Sequence, residues 1–154
     1  MSKKPIIGGI ILAAIIGVVF AGAQINPDNP ENTNVVFHVT LADPALYDEN
    51  GVYVDYFSLE EGSYEFRFVP NGDSPTILSI ELWSIEAGNE KRSTFAEDFQ
   101  LQGHLVEDEL SSWYVWDYLG EKRIIFDESY TMEIVISPNR NLVGPVSIDL
   151  IKLR

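Results

Sequence analysis

The chain has 154 residues, carries 24 acidic against 10 basic side chains for a net charge of −14, and contains no cysteine. A polymer this acidic does not hold nucleic acid by neutralising phosphates, is repelled by anionic lipid headgroups, and without cysteine has neither disulfides nor thiol chemistry. Its charge favours a solvated surface and the attraction of cations or basic partners.

The first element is an apolar stretch, Pro5 to Ala23, with no charge and no polar side chain, preceded by Lys3 and Lys4. As a helix at about 1.5 Å per residue it spans roughly 28 Å, close to the hydrocarbon thickness of a bilayer. Helix is the expected state despite Gly8, Gly9, Gly17 and Gly22, because a helix satisfies its own backbone in lipid. The lysines keep the short N-terminal side in the cytoplasm, so the rest of the chain faces outward. Two readings of residues 1–23 stand side by side. One is a retained transmembrane anchor at the cell membrane. The other is a signal peptide cleaved at Ala21-Gly22-Ala23, which releases a secreted protein beginning at Gln24. Gly9, Ala13, Gly17 and Ala21 recur every four residues and form a smooth ridge of the kind that lets membrane helices approach closely, which predicts self-association or a membrane-protein partner. All 24 acidic residues and 8 of the 10 basic ones follow this stretch, so the exterior part has a net charge of −16.

Residues 24–34, rich in Asn and Pro, read as an extended linker. Such a spacer is useful when the apolar stretch stays attached. From Val35 the pattern has period two. Val35, Phe37, Val39 and Leu41 alternate with Val36, His38 and Thr40, as in a half-buried strand. Turn chemistry at Asp43-Pro44 and Asp48-Glu49-Asn50-Gly51 precedes a second strand over Val52 to Leu59. Gly62 to Val69 and Ile77 to Trp83 are two more, joined by Pro70 to Pro75 either as a hairpin or as a connection between two sheets. Thr94 to Gln102 predicts a strand, Gly103 to Ser112 is mixed, and Trp113 to Tyr118 is a strand dense in aromatics. Arg123 to Phe126, Tyr130 to Ser137 and a last strand from Val146 follow.

Eight or nine short strands, with no helical apolar spacing over more than two turns, predict that residues 35–154 form an all-β, two-sheet antiparallel sandwich, immunoglobulin-like or jelly-roll-like, preceded by one N-terminal transmembrane helix. An apolar N-terminus, a Pro/Asn linker and an all-β domain together resemble small anchored or secreted envelope proteins of archaea and bacteria. The stretch Leu59-Glu-Glu-Gly-Ser-Tyr-Glu-Phe-Arg-Phe68 is similar to a strand of extracellular β-sandwich modules, GOLD-like and carbohydrate-binding ones among them. That resemblance implies a sandwich and transfers no functional residue.

No constellation for catalysis stands out. Gly72-Asp-Ser-Pro-Thr76 lacks the closing glycine and the strand-to-helix context of a nucleophile elbow. His38 and His104 have no second histidine near them in sequence for a zinc or copper site. No metal or other cofactor is expected, with Asp43, Asp48, Glu49 and Asn50 as weak calcium candidates because loops rich in oxygen ligands suit that ion. In a strand over 113–118, Trp113 and Val115 share one side and Tyr114, Trp116 and Tyr118 the other. One side is expected to be core. The other is a candidate aromatic binding strip, Trp113, Tyr114, Trp116 and Tyr118 being its residues. The sequence thus points to a non-enzymatic, membrane-anchored envelope protein whose acidic sandwich makes protein contacts outside the cell. The alternatives are a glycan-binding module using that strip, or a secreted enzyme whose carboxylates the sequence does not single out.

Overall fold

The computed structural model describes residues 34–154; the expected membrane helix with its ridge at Gly9, Ala13, Gly17 and Ala21, the alternative cleavage after Ala23 and most of the expected linker lie outside the described residues. Among the described residues no helix is long and apolar enough to cross a membrane.

Among the described residues nine strands form: β1 (Val35–Leu41), β2 (Tyr53–Leu59), β3 (Gly62–Pro70), β4 (Ile77–Ile85), β5 (Lys91–Glu107), β6 (Ser112–Leu119), β7 (Arg123–Phe126), β8 (Tyr130–Ser137) and β9 (Val146–Lys152). They build two antiparallel sheets, one in the order β1-β9-β3-β7 and the other β2-β8-β4-β5-β6. The period-two pattern dictates which residues meet between them. Phe37, Val39 and Leu41 of β1, Tyr64 and Phe66 of β3, and Ile148 and Leu150 of β9 turn inward from the first sheet. Leu78, Ile80 and Leu82 of β4, Phe99 of β5, and Met132, Ile134 and Ile136 of β8 turn inward from the second. Each such fully buried side chain contributes about 1.5–3 kcal/mol through removal of apolar surface from water. Phe66, Phe68, Phe95 and Phe99 form a cluster of rings, with Phe68 and Phe99 at 4.8 Å between centroids. Tilted and edge-on packing of this kind suits the ring quadrupoles.

The connections explain why the sheets interlock. β2 reaches β3 through Glu60-Glu61 alone, a corner made possible by Gly62 at φ 146, with the Lys152 stem where a Cβ would stand. The segment from β3 to β4 is a crossing between the two sheets, which settles the choice between hairpin and inter-sheet connection. β4 and β5 are joined in one sheet by a turn over Glu86–Glu90, in which Gly88 and Asn89 take positive φ.

Candidate functional site

β5 is longer than its sequence suggests. Its pairing with β6 runs without interruption from Gln100↔Leu119 to Glu107↔Ser112. The stretch Gly103–Glu107 is therefore the second half of a strand. The two strands turn back through Asp108–Ser111, where the Asp108 amide donates to the Ser111 carbonyl at 2.9 Å. The Asp108 carboxylate accepts from the amides of Leu110 (2.8 Å) and Ser111 (2.9 Å). These two bonds hold its pKa below the ordinary value of 3.8. Acidic residues that look like a solvated loop thus staple a hairpin tip.

The opposing sheet ends before this hairpin does. Tyr118, at the base of β6, is fully buried against Phe68 at 5.3 Å, and its hydroxyl donates to the Pro75 carbonyl. One register step outward, the Trp116 indole lies half-buried between Gly103 and Gly72. A Cβ on Gly103 would stand 2.7 Å from that ring, and one on Gly72 3.1 Å from it. Glycine at 103 is required by this close approach. Further out, Tyr114 stacks on Trp116 with centroids 5.6 Å apart at 28°, and is 58% exposed. Leu105, its cross-strand partner, is half exposed. On the reverse side Trp113, Val115 and Leu119 are also exposed, and Leu110 at the tip is 97% exposed.

Two expectations are corrected here. Tyr118 is not part of an exposed strip: it shares a side with Tyr114 and Trp116, but the body of the sandwich covers it. Nor is one side of the whole 113–118 segment core. Over 113–115 both sides are exposed, so among the described residues neither is covered as core. Trp83 stands apart on the outer face of β4, its indole N–H donating to Glu81 Oε2 at 3.0 Å.

The remaining candidates are occupied with local structure. Asp43 caps the short 3-10 turn Pro44–Leu46 by accepting from the Ala45 amide. Asp48 accepts from the amides of Asn50 and Val52, and the Val52 bond is the main cause of its lowered pKa. Glu49 and Asn50 are exposed beside them, and Arg140 lines the same shallow depression. Among the described residues no group of three or more acidic or histidine side chains is placed to hold a metal ion. Ser74 is buried, donates to the Pro145 carbonyl and accepts from the Asn71 amide, so it pins a loop. His38 Nδ1 lies 2.5 Å from Asp149 across the β1–β9 ladder.

One site was missed in the sequence. Glu133 is the one buried carboxylate among the described residues, and it faces the outer side of β8. Tyr56 and Trp83 flank it on adjacent strands, and Lys91 Nζ caps it at 2.5 Å. Desolvation pushes its pKa up, but hydrogen bonds from Lys91 and Tyr56 outweigh this and hold it below its ordinary value. Such a pair is costly to break from one side, since it would leave a desolvated charge. Only the pairing register could have found it.

No family model, no curated protein and no solved structure matches this chain.

Proposed function

We propose that this chain is a membrane-anchored, non-enzymatic envelope protein whose acidic sandwich binds partner proteins outside the cell, and that the β5–β6 arm is its contact surface. The observation that carries this reading is the arm itself. Trp113, Tyr114, Val115, Leu105 and Leu110 project beyond the core and expose apolar surface on two faces and a tip. Folding does not require apolar side chains there, and exposed clusters of this kind mark sites of association. The anchor rests on Pro5–Ala23 with Lys3 and Lys4. The finer reading of the fold is a jelly roll: the order β1-β9-β3-β7 against β2-β8-β4-β5 supports it, with β6 as an added edge strand.

The test is purification from native membranes in mild detergent, comparing the natural chain with a Leu105→Ser/Trp113→Ser/Val115→Thr variant. Partners are expected to co-purify with the former and be lost from the latter at unchanged thermal stability. Recovery of the protein solely in the soluble fraction with Gln24 as its first residue would overturn the anchor. Identical co-purification by both chains would overturn the arm.

A second reading is glycan binding, favoured by the near-parallel Tyr114–Trp116 stack, on which a sugar ring could lie. Quenching or shift of tryptophan fluorescence by soluble envelope polysaccharide, abolished by Tyr114→Ala, would select it over a protein partner.

A further inference from the structure

We infer that the free edge of β6 is a strand-addition site that captures an extended, Lys/Arg-bearing segment of a partner protein. The inference rests on the arm being the contact surface, and it specifies how that surface binds and what it takes.

β6 pairs with β5 on one side, and among the described residues has no strand on the other. The ladder fixes which backbone groups face that open side. Asp108 and Ser111 form a hydrogen-bonded pair. Bonded and non-bonded pairs alternate along an antiparallel ladder, so Val106/Trp113, His104/Val115 and Gln102/Asp117 are bonded in turn. The N–H and C=O groups of Ser112, Tyr114 and Trp116 then point away from β5. Two other bonds agree with this phase. The Leu101 amide donates to Thr76 on the β4 side, so it is not directed at Tyr118. The Tyr118 amide is taken by the Asp117 carboxylate at 2.8 Å, as an outward N–H would be. That carboxylate closes the row at its inner end and leaves three residues open beyond it.

Edges of this kind are normally blunted by charges, proline, bulges or a short strand. β6 reads Ser-Trp-Tyr-Val-Trp-Asp-Tyr-Leu, with no proline and one charge, at Asp117. Its pairing with β5 shows no register shift. Its residues are also those with high strand preference. Main-chain bonds along such an edge supply affinity, and flanking side chains supply selection. Selection here is electrostatic. Residues 103–119 contain no Lys or Arg, and although Asp117 is paired with Lys122, Glu107, Asp108 and Glu109 leave the outer end of the arm negative. A second copy of the chain would bring like charges together, each copy having a net charge of −14; a basic segment would meet opposite charge.

The experiment uses the full chain in mild detergent and a dye-labelled short peptide of alternating Val and Lys, with a Glu-for-Lys version as control. Two variants separate backbone from side chain. Tyr114→Pro removes an outward N–H without taking a bond from the β5–β6 ladder. Tyr114→Ala keeps the N–H and removes the ring. The Val/Lys peptide is expected to bind, to weaken with salt, and to slow amide exchange at Tyr114 and Trp116 at least about tenfold. Tyr114→Pro should lower its affinity at least about tenfold more than Tyr114→Ala. If Tyr114→Pro disturbs the fold, amide protection in the natural chain decides. Equal losses in both variants, or binding without amide protection, would overturn strand addition and leave the arm as a side-chain surface. No binding, equal binding of the Glu peptide, or peptide-free protection that grows with protein concentration would overturn the basic partner. Binding unaffected by either variant would remove the arm as well.

Discussion

β5 is one strand living in two environments. In its first half Phe95 and Phe99 pack against Phe66 and, for Phe99, Phe68 of the opposite sheet, and Phe99 has no exposed surface. In its second half Leu105 occupies the same side of the same strand and stands half exposed. The two-residue alternation of faces runs through both halves. What differs is the length of the sheet across the way, since β3 ends at Pro70 and the following loop reaches only as far as Trp116 through Gly72. Side-chain period therefore assigns a residue to a face, and a separate circumstance decides whether that face is dry.

The contrast can be broken most directly by shortening side chains in each half. Phe99→Ala should cost about 3–5 kcal/mol as a buried aromatic deletion. Leu105→Ala should stay within about 0.5 kcal/mol, as exposed positions do. Chemical denaturation of the two variants checks this, and similar losses would mean that the arm is part of the core. A smaller effect is expected at the boundary between the halves. Gly103→Val drives a side chain into the Trp116 ring, and overpacking should cost about 1–3 kcal/mol. The Trp116 emission should shift to the red as the ring leaves its slot; an unshifted spectrum would show that the slot is slack.

The last effect concerns pH. Burial, with Tyr47 beside it, raises the Tyr118 phenol above its ordinary value of 10.0. A raised folded value means the native state holds the proton more tightly than the unfolded chain. The associated stability is complete below pH 10 and is lost as pH climbs toward the folded value. Tyr53 behaves alike, raised to about 12 by burial and by its bond to Asp55. Tyr118→Phe should cost about 1–3 kcal/mol at neutral pH by orphaning the Pro75 carbonyl, and should flatten the alkaline limb of a stability–pH curve. An unaltered limb would place the alkaline sensitivity at other tyrosines.

Much of the sandwich was legible because it obeys the period. Val35 to Leu41, Arg123 to Phe126 and Tyr130 to Ser137 are strands where the sequence placed them. Phe37, Val39 and Leu41 turn inward as the alternation requires, but a register shift between Val35 and Phe37 breaks the pattern at the start of β1, and Val36 rather than Val35 packs on the core. The outer half of β5 was not, for two physical reasons. Gly103 interrupts the apolar alternation, and its role is to leave room for a ring on another strand. Glu107-Asp108-Glu109 looks like solvated loop, whereas Asp108 is the clasp of a tight turn. The aromatic segment was recognised by composition, but its division at Tyr118 depends on where the partner sheet stops. The Tyr56–Glu133–Trp83 row lies across three strands and exists only once register is known.

The ladder between β1 and β9 has a kinetic consequence. Thr40 faces Ser147, and Val35 faces Ile151, so among the described residues β1 pairs with β9 alone, a strand more than a hundred residues later, as the His38–Asp149 separation of 111 shows. Ribosomal synthesis delivers the chain from its N-terminus, so β1 emerges well before its partner β9. This pairing joins residues far apart in sequence, and contacts of that kind slow folding because the loop between them must close first. Until β9 is in place, Phe37, Val39 and Leu41 lack the neighbouring strand that helps to bury them, and a chain cut short before Val146 would leave β1 without that partner.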